Sequence, residues 1–357
     1  MRLLRPLQGS QGCRGEAAWL SSLLAELSPY ASRVCGTGSY LPERIVDNRA
    51  LETILDTSDA WIRERTGIGA RHFAADDEVT SDLALHAARA ALGAAGLSPA
   101  ELDMIIVATV TPDSPMPACA VRLAHKLDPS LKIPAFDLSA ACAGFLFGLA
   151  VADQFLRTGT FRRVLVVGVE LLSRIVDWTD RTTAVLFGDG AGAVVLERVA
   201  ADSASRVELV RIHSEGALAS ALQIPGGGSM EPLDESGLAR RRNKVEMRGQ
   251  EVFRAAIRGI TEASLEVLAA CGLEPSSVDW FVPHQANLRI IEQVAERLGV
   301  GLDRFVLVLE QIGNTSSASI PIALDHGMRS GRVRRGDRVL LAALGAGVSY
   351  GAALVTL

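Results

Sequence analysis

The chain has 357 residues, of which 48% are hydrophobic and 22% charged, with only 14 prolines; this composition excludes a disordered protein. Lys and Arg number 36 against 41 Asp and Glu, a formal charge of −5, which excludes a chain-wide nucleic-acid surface because phosphate binding draws on a basic excess. The five cysteines, at 13, 35, 119, 142 and 271, are odd in number and lack C-x-x-C spacing, so neither a disulfide framework nor a zinc site is expected and the compartment reads as reducing, hence cytoplasmic.

In chain order, residues 1–32 read as an extension outside the core, with a short helix expected around Trp19–Leu27. Its apolar residues are too interrupted for a signal peptide, and no run approaches the ~18 apolar residues that span a bilayer, so no membrane insertion is expected. Asp82–Ala95 is an Ala/Leu-rich helical stretch, followed by Gly96-Leu97-Ser98-Pro99-Ala100-Glu101-Leu102-Asp103 and a short strand, Met104–Ala108. A strand ends near Leu138 and a helix opens near Cys142. The apolar run Val164–Val169 fits a strand covered on both faces, and Gly192–Leu196 reads as a further strand. The apolar pattern breaks near Val199–Arg206.

Beyond that break the pattern recurs. The helical stretch Gly249–Ala270 leads into Gly272-Leu273-Glu274-Pro275-Ser276-Ser277-Val278-Asp279, matching 96–103 at a constant offset of 279 − 103 = 176 residues. The strand Trp280–Pro283 follows, Arg338–Ala343 echoes Arg163–Gly168, and Gly351–Val355 echoes Gly192–Leu196. So long a period marks a duplicated α/β architecture with mixed sheets, with halves at 33–203 and 204–357. Equivalent loops of such halves converge on one cleft, and three of them carry chemistry.

In the first loop, Phe136–Phe145, Cys142 stands at a helix N-terminus, where the macrodipole is expected to lower a thiol pKa; a buried cysteine acting as a small hydrophobe is the alternative. In the second, His284 ends the duplicated strand and is followed by Gln285 and Asn287, whereas the other histidines lie in loops or on polar or mixed helical faces. In the third, Gly313-Asn314-Thr315-Ser316-Ser317 again opens a helix, and Asn314 either caps it or offers an amide to a substrate oxygen. Cys, His and Asn on equivalent loops are what thioester chemistry needs. Two other matches fail: Gly347–Gly351 fits G-x-S-x-G but has no room downstream for an acid and a histidine, and Gly188–Gly192 leads into a strand rather than a helix. Arg240-Arg241-Arg242-Asn243-Lys244 is a solvated face or an attractor of phosphates or an acidic partner.

Six ordered motifs together make the chain resemble the β-ketoacyl-acyl carrier protein synthase III family of the thiolase superfamily, over about residues 33–357. They are CGTGSYLPE from Cys35, DTSDAWIRERTGI at 56–68, DLSAACAGF at 137–145, FGDGAGAVVLE at 187–197, VPHQANLRII at 282–291 and GNTSSASIP at 313–321. The resemblance implies a thiolase-like five-layer α-β-α-β-α fold, a homodimer and no cofactor or metal, a CoA thioester being substrate. It implies that Cys142 accepts an acyl group from acyl-CoA and that malonyl-acyl carrier protein then condenses with it, His284 and Asn314 assisting decarboxylation, to begin fatty acid synthesis. Backbone N–H groups of Cys142 and Ala346 would hold the oxyanion. Trp61 and Arg181 would stack on the CoA adenine, Arg65 would lie at the tunnel mouth, and Thr57 and Asn287 would line the pantetheine path. Gln285, Ala286, Asn287, Leu288 and Arg289 would face the carrier protein. Met116 would reach a partner subunit's acyl pocket, where short-chain enzymes place an aromatic, so a longer or bulkier starter is expected. The loop Leu222–Asn243 departs from the family pattern and is expected to reshape the mouth. The alternatives are a starter-unit condensing enzyme or acyltransferase of specialised metabolism, a thioester hydrolase, and a non-catalytic subunit; intact Cys142, His284 and Asn314 argue against the last.

Overall fold

The computed structural model describes residues 28–357, so the helix expected at 19–27 lies outside the described residues. Five strands form the first sheet: β1 (Tyr30–Tyr40), β2 (Met104–Ala108), β3 (Ala135–Leu138), β4 (Arg163–Glu170) and β5 (Gly190–Ala200), in the order β1-β5-β4-β2-β3. Four form the second: β6 (Arg206–Ser214), β7 (Trp280–Pro283), β8 (Arg338–Gly345) and β9 (Ser349–Thr356), in the order β7-β8-β9-β6. The β2–β4 and β7–β8 pairs are parallel and the β4–β5 and β8–β9 pairs antiparallel, so the sheets are mixed and carry the same local topology. The counterpart of β3 is reduced to a single parallel bridge, Phe281–Phe305. β1 begins at Tyr30, so the core starts three residues inside the expected extension.

Six long helices complete the layers: α1 (Thr80–Ala95), α2 (Cys119–Leu127) and α3 (Gly144–Arg157) in the first half, α4 (Gly249–Ala270), α5 (Leu288–Leu298) and α6 (Ser319–Arg329) in the second. α1 forms because Leu83, Ala84, Ala87, Ala88, Ala91 and Leu92 recur at helix spacing and bury one stripe against the sheet. The strands are nearly all apolar because both faces are covered. Val164 and Val166 of β4 join a central core with α3, α6 and the second sheet, whereas Leu165, Val167 and Val169 face α1 and α2. β8 repeats the division: Val339, Leu341 and Ala343 face the centre, and Leu340, Ala342 and Leu344 face α4 and α5. The alternation of side chains along a strand thus builds α1/α2, sheet, α3/α6, sheet, α4/α5, the five layers expected.

The duplication reaches individual hydrogen bonds. The Asp103 carboxylate accepts from the Arg162 and Arg163 N–H groups at 2.7 and 2.9 Å, and that of Asp279 accepts from Arg338 N–H at 2.8 Å. Each aspartate ties the start of one strand to its parallel neighbour. Among the described residues, no helix is long and apolar enough to cross a membrane.

Candidate active site

The chain turns sharply before each central helix. Ala141, at φ 46°, leads into a short 3-10 turn, Ala141–Ala143, that carries Cys142 to the base of α3; Ser316, at φ 49°, leads into Ser316–Ala318 at the base of α6. Non-glycine residues in this left-handed region are sparse and cluster at functional turns. Gly345 of β8 makes room for the first turn: a Cβ there would sit 2.5 Å from the Cys142 nitrogen.

His284 follows β7 directly, its N–H donating to Ala342 O at 2.8 Å. Asn314 is held to the first half by its backbone, which donates to Leu186 O at 2.9 Å and accepts from Gly188 N–H at 3.0 Å. Its Oδ1 accepts from Ser316 N–H at 2.8 Å, so Nδ2 remains as the free donor. Cys142, His284 and Asn314 line one cavity of about 280 Å³, as the loop equivalence predicts. Cys142 also borders a second, apolar chamber of about 240 Å³, walled by Val110, Leu172, Ile175, Leu222, Ile224 and Val245 and bordered by Ala346. Cys142 therefore stands at a junction.

The electrostatics differ from the sequence expectation in one respect. Burial pushes the Cys142 thiol up to about 12, Glu170 adding to the effect, while the Ser316 hydroxyl and the residue's own backbone act against it. The helix-terminus argument for a lowered pKa fails because the sulfur lies in an apolar recess, and desolvation of a thiolate outweighs a partial dipole charge. Burial also pushes the His284 imidazole down to about 3, so the ring is neutral at pH 7. At pH 7 these shifts leave a protonated Cys142 thiol and a neutral His284 imidazole, not a thiolate–imidazolium pair.

Behind Cys142 lies a carboxyl that the sequence reading missed. Glu170, fully buried at the end of β4, accepts from Val110 N–H at 3.1 Å, from the hydroxyls of Thr109 and Thr111 at 3.3 and 2.8 Å, and from Ser316 and Ser317 at 3.2 and 3.0 Å. It ties the loop after β2 to the Asn314 loop. Its sequence signal is a lone acid closing an otherwise apolar strand. Burial pushes its pKa up to about 7 against the pull of these donors.

The mouth residues divide. Trp61 and Arg65 line the cavity, the Arg181 guanidinium lies 5.2 Å and that of Arg65 5.9 Å from the Trp61 ring centre, and Arg181 also donates to Asp56 O at 2.7 Å. Asn287 lines the cavity and caps α5, its Oδ1 accepting from Arg289 N–H at 2.9 Å and its Nδ2 donating to Arg65 O at 3.0 Å. Thr57 is half-buried and does not line the cavity. Arg289 is exposed, with Ala286, Asn287 and Leu288 half-buried beside it. Gln285 corrects an expectation. It is 0% exposed, its amide donating to Pro283 O and Val306 O and accepting from the N–H groups of Val308 and Leu309. All of its polar capacity is spent inside the protein, so it cannot face a carrier protein. Met116 is 85% exposed and lines neither chamber. Leu222, the first residue of the loop 222–243, lines both chambers, and Ile224 lines the apolar one. In the basic run, Arg241 pairs with Asp177, Arg242 with Glu231 and Glu246, and Lys244 donates to Arg174 O, so three of its four cations brace neighbouring segments while Arg240 stays exposed.

A duplicated α/β scaffold that presents cysteine, histidine and asparagine to one cavity beside an apolar recess is that of an acyl-transferring condensing enzyme of thiolase-like fold. The family model 3-oxoacyl-[acyl-carrier-protein] synthase III matches residues 136–216, and its C-terminal companion matches 268–357. The chain is 48% identical over 326 residues to the β-ketoacyl-[acyl-carrier-protein] synthase III of Alkalilimnicola ehrlichii, covering 91% of this chain and 98% of that one. The crystal structure of 3-oxoacyl-[acyl-carrier-protein] synthase III from Aquifex aeolicus is 42% identical with a TM-score of 0.84, covering 91% of this chain and 100% of the other. That of the Pseudomonas aeruginosa enzyme is 40% identical, also at 0.84, covering 91% and 98%. The chain belongs to the β-ketoacyl-acyl carrier protein synthase III family. It condenses an acyl-CoA starter with malonyl-acyl carrier protein, the step that initiates fatty acid synthesis.

Proposed function

We propose that this condensation runs through an acyl-Cys142 intermediate, with His284 and Asn314 stabilising the malonyl-derived enolate. The observation that carries the reading is the place of Cys142 where two chambers meet, with both nitrogen donors on the wall of the larger one. Acyl-CoA enters along that larger cavity, its adenine stacked by Trp61 together with Arg181, Arg65 at the mouth and the pantetheine passing Asn287; Thr57 supports this path from outside the cavity wall. The Cys142 sulfur bonds to the acyl carbonyl carbon, the bond to the CoA sulfur breaks, and the thiol proton ends on CoA. The chain of the acyl group lies in the apolar chamber. Its carbonyl oxygen accepts from the N–H groups of Cys142 and Ala346.

The malonyl thioester then takes the place of CoA. Its bond to the carboxylate breaks, CO2 leaves, and the electron pair moves onto the thioester oxygen. The Asn314 Nδ2–H group and the imidazole of His284 hold that charge in a buried site where donors act strongly. The carbanion attacks the acyl carbonyl, a carbon–carbon bond forms, and Cys142 leaves as thiolate and regains a proton. Two neutral donors suffice for the charge that develops, so the scheme calls on no metal or cofactor, and the CoA thioester is substrate only. Arg289, with Ala286, Asn287 and Leu288, docks the acidic carrier protein. Two copies pair as a homodimer, so that the exposed Met116 of each reaches the partner's acyl chamber, and the enzyme works in the cytoplasm.

Incubating Cys142→Ala with acyl-CoA tests the reading. Intact-mass measurement is expected to show the acyl increment on the native protein and none on the variant; an increment retained at another residue would overturn it. A panel of acyl-CoAs read the same way defines the starter.

A further inference from the structure

The hydrogen bonds around His284 decide which of its nitrogens carries the proton. Ser319, the first residue of α6, is 0% exposed. Its Oγ lies 2.6 Å from His284 Nδ1 and 3.3 Å from the Gln285 backbone nitrogen. The Gln285 N–H can only donate, so Ser319 Oγ accepts from it. The hydroxyl proton of Ser319 then has a single acceptor within reach among the described residues, Nδ1. A ring nitrogen that accepts is bare, and a neutral imidazole with bare Nδ1 carries its proton on Nε2.

The opposite tautomer conflicts with this arrangement. Were Nδ1 to donate, Ser319 Oγ would face two donors and its own proton would be left unpaired in a fully buried place, which folded proteins avoid. It would also turn a bare lone pair of Nε2 toward the cavity, where it would repel a developing enolate oxygen. Gln285 keeps the arrangement rigid: its side chain is fixed at four backbone points, 2.8 to 3.2 Å away, which hold residues 283–285 against residues 306–309 and aim the Gln285 N–H at Ser319.

We infer that Ser319 is a positioning residue, whose hydroxyl fixes His284 as the Nε2–H tautomer and so makes the imidazole a donor to the malonyl thioester oxygen. The inference rests on the enolate role given to His284 above. It completes a pair, because Ser316 N–H performs the same service for Asn314 by occupying Oδ1 and leaving Nδ2 to face the substrate. Two serines of one loop thus aim two donors contributed by different elements. The site selects thioesters whose oxygen gains negative charge, and it lacks a base facing the cavity from His284.

Side-chain ¹⁵N spectra of the histidine-labelled protein test this directly, with the His284 signals assigned by their loss in His284→Gln. The expected result is a protonated Nε2 and a bare Nδ1; a protonated Nδ1 in the native protein would overturn the inference without any variant. Ser319→Ala is expected to keep acylation by acyl-CoA within about twofold, because the thiol does not depend on the tautomer, and to show both tautomers in the spectrum. Malonyl decarboxylation is expected to fall about 10- to 100-fold, the size of effect seen when the hydrogen-bond partner that orients a metal-bound imidazole is removed. Decarboxylation at the native rate in Ser319→Ala would also overturn it. Native decarboxylation in His284→Ala would instead remove the enolate role of His284 itself, so the two failures are separable.

Discussion

Cys142 and Ser317 occupy the same place in the two halves of the molecule, 175 residues apart in the chain. Each is the middle residue of a 3-10 turn that opens a central helix, and each turn rests on a strand glycine of the opposite half, Gly345 under Cys142 and Gly168 under Ser317. Only one of the two, Cys142, lines the two chambers. At the 176-residue offset of the repeat His284 corresponds to Ala108, whose carbonyl accepts from Ser317 Oγ at 2.9 Å, and the Glu170 carboxyl closes the space in front of it. The mirrored site is a structural anchor because its recess is filled by a hydrogen-bonded acid instead of being left open.

The glycine under the nucleophile sets the first expectation. A methyl group at Gly345 would lie 2.5 Å from the Cys142 nitrogen and 2.9 Å from that of Ala143, both backbone atoms that cannot move independently. Gly345→Ala is expected to cost about 1–3 kcal/mol of stability as overpacking and to reduce acyl-Cys142 formation, read by intact mass, at least about tenfold through misplacement of the nucleophile. Native acylation kinetics would show that the turn adapts.

For the enolate donors the charge of the replacement is informative. Asn314→Ala and His284→Ala are each expected to lower malonyl decarboxylation about 10²- to 10³-fold, the usual effect of losing one such donor, with acylation retained. Asn314→Asp presents a carboxylate where an N–H is needed and is expected to do worse than alanine. Equal CO2 release by native protein and both alanine variants would remove the donor scheme.

Glu170 makes stability depend on pH. Its folded pKa, about 7, stands above the ordinary 4.5 because burial disfavours the carboxylate. A raised acid binds its proton more tightly when folded, so its contribution is full below about pH 4.5 and is lost as pH rises through 7. At ~1.4 kcal/mol per unit, this is about 3 kcal/mol lost between those limits. Glu170→Gln cannot titrate, so the difference in urea unfolding free energy, native minus variant, is expected to fall by that order from pH 5 to pH 8. A difference constant across that range would show that Glu170 does not carry this linkage.

At the mouth, Trp61→Ala removes the ring against which both Arg65 and Arg181 rest. Cation–π and stacking contacts contribute about 0.5–2 kcal/mol, so KM for acyl-CoA is expected to rise roughly 2- to 30-fold with kcat little changed. A fall in kcat at unchanged KM would place Trp61 outside the CoA path.

Much of this protein is determined by sequence alone, because the repeat at 96–103 and 272–279 and the apolar runs of β4 and β8 are local patterns whose burial follows from their periodicity. The cysteine, histidine and asparagine were legible for a related reason: each lies where a strand ends or a helix begins, and duplicated halves bring such ends together. Tertiary structure alone decided the rest. Gln285 looked like part of an outer face until four backbone partners buried it. The thiol pKa rose where the helix end promised a fall, because desolvation depends on what surrounds an atom in space. The apolar chamber draws its walls from residues as far apart as 110 and 346, and the proton on His284 is set by a serine 35 residues away. A chain pattern records which residues can be buried; which buried groups meet, and which hydrogen goes where, follows only from packing.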